Sequence, residues 1–228
     1  MTDGSASEKG HNAGVQAVVA VLVVGGALGG LWAQGELQGN TGDKGPATCS
    51  HDDRRVSRHV SGHRLCTALN RPNLPVLLGA PDETAQTANG SSSSFALPDG
   101  TKVTTPTAEV DTQTFSVQLT APDDRAPVAE TAGLMGMSAQ KTTLLGHPAV
   151  LYSDHTIAIR FSLGGGDTDA DTSTGGIARH LLVARDREDG GGSYELALWR
   201  QDNGTPDDAA LLRVAEQVLP RVPGWAAG

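Results

Sequence analysis

Aromatic residues are scarce in this chain of 228 residues, because Phe, Trp and Tyr together make up only 4% of it. The core of a folded domain must therefore consist mainly of Val, Leu, Ile and Ala, and the hydrophobic content of 38% is enough for one. Catalytic signatures are lacking as well: there is no G-x-S-x-G nucleophile elbow and no phosphate-binding G-K-[ST] motif. The sequence therefore predicts no particular enzyme class, catalytic residue or cofactor.

Basic residues are fewer than acidic ones, and the formal net charge is −9. Residues 1–33 hold one of the 17 basic and two of the 26 acidic residues, which leaves 16 basic against 24 acidic residues in the remainder. A surface with this balance repels phosphate and can release few counterions from DNA or RNA. We therefore predict no nucleic-acid partner, although Arg54, Arg55, Arg58 and Arg64 lie close together in sequence.

Charge is absent altogether from one long stretch, Ala13–Ala33, whose 21 residues include a single amide, Gln16. A helix of this length spans about 31 Å, at about 1.5 Å per residue, which is close to the hydrocarbon thickness of about 30 Å. A helix of a soluble core would carry a polar face, and this stretch has none. The sequence therefore predicts a transmembrane helix over 13–33 that follows a short cytoplasmic tail, 1–12.

The predicted orientation of this helix follows from the two parts of the chain that flank it. The tail offers one lysine and the twenty residues after the helix offer one more, so the positive-inside rule is nearly balanced. The short tail 1–12 would stay inside, whereas the long C-terminal part contains both cysteines, which an oxidising compartment would suit. We therefore expect a single-pass protein of the cell membrane whose C-terminal domain is extracytoplasmic.

Two alternatives concern the same segment. Ala27-Leu28-Gly29 resembles a small-x-small cleavage site at the end of an apolar run, so secretion after signal cleavage stays open. Two overlapping GxxxG patterns within Gly25–Gly30 would let two such helices pair, but glycine is frequent in membrane helices for other reasons too. The oligomeric state is therefore left open.

A flexible tether and a folded domain are predicted after the helix. Residues 34–48 contain four glycines and no apolar periodicity, which is typical of a flexible linker. The domain then occupies 49–226. Near its start, "TANGSSSSFALPDGTKV" predicts a loop followed by a hairpin that turns at Asp99-Gly100.

The strand predictions come from alternating hydrophobicity. Residues 114–120 alternate between polar and apolar side chains, as a half-buried strand does. Residues 147–163 predict two strands that turn at Ser153–Thr156, and the ranges 179–185 and 193–200 predict a second hairpin around a Gly-rich loop. Together with short helices before and between the strands, this favours an α+β fold with an antiparallel sheet.

The C-terminal segment predicts an amphipathic helix that packs on this sheet. Thr205 and Asp208 resemble a capping box, Pro206 would occupy the first helical position, and Pro220 would end the helix. Burial of the large aliphatic side chains at about 1.5–3 kcal/mol each would make the helix an integral part of the domain. The apolar positions at helical spacing are Leu211, Val214, Ala215, Val218 and Leu219.

The only two cysteines, Cys49 and Cys66, predict a disulfide if the domain lies outside the cell. On the entropic account such a bridge stabilises the fold by about 3 kcal/mol. A zinc site is the alternative, because His51, His59 and His63 lie between the cysteines and zinc accepts Cys and His ligands. A Ser-Gly pair between the last two histidines disfavours a shared helix, and there is no C-x-x-C pattern. We therefore prefer the disulfide, keep two free thiols as a further alternative, and assign no metal ligand.

Two further segments resemble functional motifs, but neither is predicted to be a functional site. "DTDADTSTGGIA" alternates acidic residues like the start of a calcium loop, but Thr172 and Ala178 stand where an EF-hand needs Gly and Glu, so we predict a solvated loop. Ser153–His155 contains Ser, Asp and His, yet neighbours on a turn point apart, so we predict turn residues rather than a catalytic triad. His147 and His180 are predicted to be structural.

Seven segments of the chain occur in a characteristic order: "ATCS", "LCTALNRPNLPVLLGAP", "TANGSSSS", "LGHPAVLYSD", "GGIARHLLVARD", "GGGSYELALWRQD" and "PDDAALLRVAEQVLPRVPGW". Their order resembles an actinobacterial, streptomycete-type, membrane-associated family of unknown function, numbered 6215. The resemblance covers roughly 47–226 together with the preceding membrane segment. It implies membrane association and an extracytoplasmic domain, and it supplies no activity, ligand or catalytic residue.

These observations favour a binding or interaction domain that segment 13–33 holds at the cell envelope, where a protein partner is expected. A secreted or anchored metal-dependent hydrolase that uses the His-rich segment 51–63 is the alternative. A third hypothesis is a subunit of a membrane complex that assembles through the Gly-rich helix.

Overall fold

A computed structural model describes residues 46–50, 60–96, 100–123, 126–133, 135, 139–163 and 168–225, without the side chains between 158 and 171. The described residues all fall within one compact unit, Thr41–Gly228. The predicted tail, transmembrane helix and most of the tether lie outside the described residues. Within the described part of the chain, no helix is long and apolar enough to cross a membrane.

A seven-stranded antiparallel sheet forms the centre of the fold, with the strand order β1-β2-β3-β7-β6-β5-β4. It consists of two meanders, β1 to β3 and β4 to β7, which join where β3 pairs with β7. The first meander contains β1 Thr87–Ala96, β2 Lys102–Asp111 and β3 Phe115–Thr120. The second contains β4 Gln140–Leu144, β5 His147–Leu163, β6 Thr168–Ala184 and β7 Ser193–Arg200.

The helices lie before, between and after the meanders. Three of them contribute buried side chains to the main apolar cluster, whereas the third in chain order belongs to a smaller cluster with β5 and β6. The predicted α+β fold with an antiparallel sheet and a C-terminal amphipathic helix is therefore confirmed. The helices in the described part of the chain are α1 Gly62–Leu69, α2 Leu74–Leu78, α3 Val128–Ala132 and α4 Asp208–Val218, and a 3₁₀ turn, Leu219–Arg221, follows the last.

The apolar face of the sheet is built from one row of side chains that crosses five strands. Strand pairing aligns Ala108, Leu119, Leu196, Leu181 and Leu151 from β2 to β5, and each of them is buried. Because side chains alternate between the two faces of a strand, neighbouring residues in the same strands point to the other side. Helices α1, α2 and α4 pack on this apolar face.

The start of α1 lies directly against the backbone of β1. A Cβ atom on Gly62 would stand 2.0 Å from the carbonyl oxygen of Ser91, and one on Gly90 would stand 2.4 Å from that of Gly62. Only residues without a side chain fit at this crossing. Ser61 caps the helix, because its side chain accepts a hydrogen bond from the backbone N–H of Arg64.

Helix α4 has the predicted apolar side but a different N-terminal cap. Leu211, Val214 and Val218 are fully buried. The predicted capping box of Thr205 and Asp208 is wrong, because the cap is Asp207, whose carboxylate accepts from the N–H of Ala209. The Asp208 side chain is engaged in an ion pair instead, described below.

Two loop predictions in the second meander are wrong. Ser153–Thr156 was predicted as a turn but lies inside the continuous strand β5, and a register shift between His155 and Ile157 marks an irregularity there. The acidic segment predicted as a loop lies largely within β6, which begins at Thr168. Pairing between β5 and β6 satisfies the backbone along both segments, and this outweighs the low strand propensity of Asp and Gly.

Candidate functional site

The predicted disulfide between Cys49 and Cys66 is present, with the two Cα atoms 5.9 Å apart. Cys66 is fully buried in α1, and Cys49 packs against the main apolar cluster. Backbone hydrogen bonds from Ala47 and Ser50 to Ala85 and Ala88 hold the same segment beside β1. The disulfide therefore attaches the segment 46–50 to helix α1.

The three histidines considered as metal ligands are not brought together by the described residues. His51 and His59 lie outside them, and His63 is in the first turn of α1, which begins at Gly62. Among the described residues there is no group of three or more His, Cys, Asp or Glu side chains that could hold a metal ion. Both cysteines are engaged with each other.

An open cleft of about 640 Å³ lies between β5, β6 and the start of α4. Its volume is in the range of about 300–1,000 Å³ that is usual for small-ligand sites. Three carboxylates, one guanidinium and one imidazole line it together with apolar groups, so it offers both charge and hydrophobic contact. The lining residues are Ser153, Asp154, His155, Ile177, Arg179, Thr205, Pro206, Asp207 and Asp208.

Arg179 organises this cleft. Its Nε and Nη2 atoms donate to the two carboxylate oxygens of Asp208 at 2.5 and 2.6 Å, and Nη1 donates to the hydroxyl of Ser153. Such a two-point ion pair is among the stronger polar contacts in proteins. It ties the start of α4 to β5 and β6 and neutralises Asp208. Asp154 and Asp207 therefore leave the cleft negative overall.

A second polar group lies on the opposite side of the sheet, which we call the polar face: the side that carries Glu109, Asp111, Gln118, Tyr152, His180 and Glu195. The hydroxyl of Tyr152 donates to Glu195 Oε1 at 2.5 Å, and His180 Nδ1 lies 2.8 Å from the same oxygen. The rings of Tyr152 and His180 stack with their centroids 4.6 Å apart. Three neighbouring strands are thus joined through one carboxylate.

Burial and hydrogen bonding set the protonation of this network. Burial would raise the pKa of Glu195, but the hydrogen bond and charge of His180 and the hydrogen bond of Tyr152 outweigh it and hold that pKa below its ordinary value. Burial, followed by the charge of Glu195, raises the pKa of Tyr152. Glu195 is therefore the ionised member and Tyr152 the neutral donor, an arrangement that also orients the imidazole of His180.

Some of these groups could be found from sequence and others could not. Ser153–His155 drew attention as a triad-like run, and the structure places all three beside the cleft, but on a strand rather than a turn. His147 is structural as predicted: it is buried, its Nδ1 lies 3.0 Å from the carbonyl oxygen of Ala184, and its ring stacks on Trp225. Arg179 and Glu195 were missed, because their partners lie 15 to 43 residues away in the chain.

Comparison with known proteins gives one match. Residues 8–138 match the model of DUF6215, described as a family of unknown function. No curated protein and no solved structure matches the chain. The matched stretch covers more than half of the chain and contains both cysteines and the first meander, whereas the residues that line the cleft follow it in sequence.

Proposed function

The chain belongs to DUF6215, a family of unknown function, and from this starting point we propose that it is a membrane-anchored binding module. Segment 13–33 would cross the cell membrane once, and residues 49–226 would form an extracytoplasmic domain at the cell envelope. The domain would bind its ligand or protein partner through the cleft between β5, β6 and α4.

The disulfide between Cys49 and Cys66 is the observation that carries this proposal. Disulfides persist in oxidising compartments and are rare in the cytosol, so the bridge supports a domain outside the membrane. The uncharged stretch Ala13–Ala33 supplies a segment of the length that a single span requires. The resemblance of the quoted segments to an actinobacterial, membrane-associated family also supports a membrane anchor followed by an extracytoplasmic domain.

The cleft supports a binding role because its charged groups are already held in place. Arg179 is fixed by Asp208 and Ser153, so little side-chain freedom would be lost when a ligand enters. With Asp154 and Asp207 at its rim, the cleft suits a ligand that offers hydrogen-bond donors. The hydrolase alternative would instead need a metal held by the His-rich segment 51–63.

Protease treatment of intact host cells tests the location of the domain. With an epitope tag before the tail 1–12, external protease is expected to remove the domain and to leave a short tagged fragment that contains the anchor. A domain that is cut only after lysis would contradict the proposal. Recovery of the intact domain from the culture medium would favour the secreted alternative.

Site-specific photo-cross-linking tests the binding surface. A benzophenone amino acid at Thr205, an exposed residue at the cleft, should give a cross-linked adduct in cells. The same substitution at Thr67, an exposed threonine of α1, is the matched control and should give none. Adducts at both positions, or at neither, would contradict a binding role for the cleft.

Dialysis followed by metal analysis tests the hydrolase alternative. Stoichiometric metal that survives dialysis and is lost in a His59→Ala/His63→Ala double variant would favour it over a binding module. A metal-free wild-type protein would remove it.

A further inference from the structure

The polar face contains two carboxylates that stand side by side on one strand. Glu109 and Asp111 are two residues apart on β2 and therefore point to the same side of the sheet, with Cα atoms about 6.8 Å apart. Gln118 of β3 lies directly opposite Glu109, and its Nε2 donates to Glu109 Oε2 at 3.3 Å. The hydroxyl of Thr87 on β1 donates to Asp111 Oδ2 at 2.5 Å.

The two carboxylates differ in the hydrogen bonds that they receive. Asp111 receives one short hydrogen bond, from the hydroxyl of Thr87. Glu109 is half-buried and receives one longer hydrogen bond from an amide. The carboxylate of Asp111 is its nearest charged neighbour along β2, and the two charges have the same sign.

The other titratable groups of the face lie further from Glu109. His180 on β6 is three strand spacings away, about 14 Å, and is engaged with Glu195 of β7. Strand β5 adds Tyr152 and Asp154, and α3 adds the exposed Glu130. The described side chains of β1, β2, β3, β6 and β7 on this face include no Lys or Arg to offset a charge on Glu109.

We propose that Glu109 and Asp111 form a proton-operated switch in the first meander. When Glu109 is protonated, it is a neutral partner of Gln118, and β2 carries one negative charge at this point. When Glu109 loses its proton, a half-buried side chain becomes charged next to the like charge of Asp111, and the cost of burying that charge, together with the repulsion, loosens β2 against β1 and β3.

The acidity of Glu109 places this change near neutral pH. Burial is the main reason that its pKa is raised to about 7; the charge of Asp111 adds to the effect, and the hydrogen bond from Gln118 opposes it. The native state thus holds the proton more tightly than the unfolded chain, whose ordinary value is 4.5. The stability that this provides is complete below about pH 4.5 and is lost as the pH rises to about 7.

Hydrogen exchange on the full chain tests the switch. Amide protection in residues 87–111 is compared at pH 5.5 and pH 8.0 after correction for intrinsic exchange rates. In the wild type, protection is expected to fall about tenfold between the two conditions. In Glu109→Gln, which keeps the shape but cannot ionise, it should not change. Glu216→Gln, an exposed glutamate of α4, is the matched control and should behave as wild type.

Two results would overturn the proposal: equal protection of the wild type at both pH values, or an unchanged pH response in Glu109→Gln. Asp111→Asn offers a second variant, in which the response should become smaller. If neither variant folded, NMR titration of ¹³C-labelled glutamate carboxyls in the wild type would decide. A midpoint of Glu109 near 7 supports the switch, and one near 4.5 refutes it.

Discussion

The two faces of the sheet use the same strands for different purposes. On one face, a leucine-rich row from β2 to β5 is covered by α1, α2 and α4. On the other, the next residues along these strands bring Glu109, Gln118, His180 and Tyr152 into the neighbouring row. Apolar burial is non-directional and independent of pH, whereas the polar face depends on particular hydrogen bonds and charges. The stability of the domain should therefore come mainly from the first face and its response to pH from the second.

The largest effect is expected from Leu196→Ala, at the centre of the apolar row. Leu196 is fully buried, so its removal leaves a cavity and should lower the free energy of unfolding by about 4 kcal/mol. Urea denaturation at pH 5.5 and pH 8.0 measures the loss, which should be the same at both. A loss that differs strongly between the two pH values would contradict the claim that the apolar face stabilises the domain independently of pH.

Glu195→Ala should have the next largest effect, on the polar face. It leaves His180 and Tyr152 without their shared acceptor, and breaking a buried pair of this kind costs about 3 kcal/mol. Because the pKa of Glu195 is lowered, its contribution is present above about pH 4.5 and is lost as the pH falls further. Urea denaturation of both proteins at pH 7 and pH 3.5 should therefore show a smaller difference in acid. An equal difference at both would contradict the assignment of Glu195 as the ionised member.

Gly62→Ala tests the close packing of α1 against β1 on the helix-covered side of the sheet. The new methyl group would meet the backbone of β1, which cannot move aside as a flexible side chain would, so we expect a loss of about 2 kcal/mol in unfolding free energy. Gly133→Ala is the matched control, since its Cβ would meet nothing closer than 3.5 Å. Thermal denaturation of the two variants measures the difference, and equal melting temperatures would contradict the close crossing of α1 and β1.

Glu109→Gln is expected to give the smallest effect and the opposite sign. At pH 8 it removes a half-buried negative charge and should stabilise the domain by about 1 kcal/mol, once solvent screening is considered. At pH 4, where the native carboxyl is protonated in the wild type, the two proteins should be equally stable. Stabilisation of the same size at both pH values would show that the gain does not come from ionisation.

Local periodicity was sufficient to predict much of the apolar face. Alternation identified β3 and the hairpin of β6 and β7, and the spacing of Leu211, Val214 and Val218 identified the buried side of α4. Periodicity reveals these elements because a strand or helix that buries one face must have apolar residues at the regular spacing of that face.

The polar face and the cleft could not be predicted in this way. The strand β1 contains four consecutive serines and has no alternation, and it is held by its pairing with β2 and its contact with α1 at Gly90. The network around Glu195 depends on the register of three strands, and the ion pair of Arg179 with Asp208 joins residues 29 positions apart. Such contacts follow from the tertiary arrangement, which local patterns do not determine.

Peptide mapping by mass spectrometry tests the central claim most directly: that this is a membrane-anchored domain in an oxidising compartment. The protein would be purified from the membrane fraction of its host, with free thiols alkylated before digestion. We predict a peptide that starts at residue 1 or 2, together with a crosslinked pair of Cys49 and Cys66. A mature start near Gly30 would indicate secretion after cleavage. Alkylation of both cysteines would place the domain in a reducing compartment and contradict the claim.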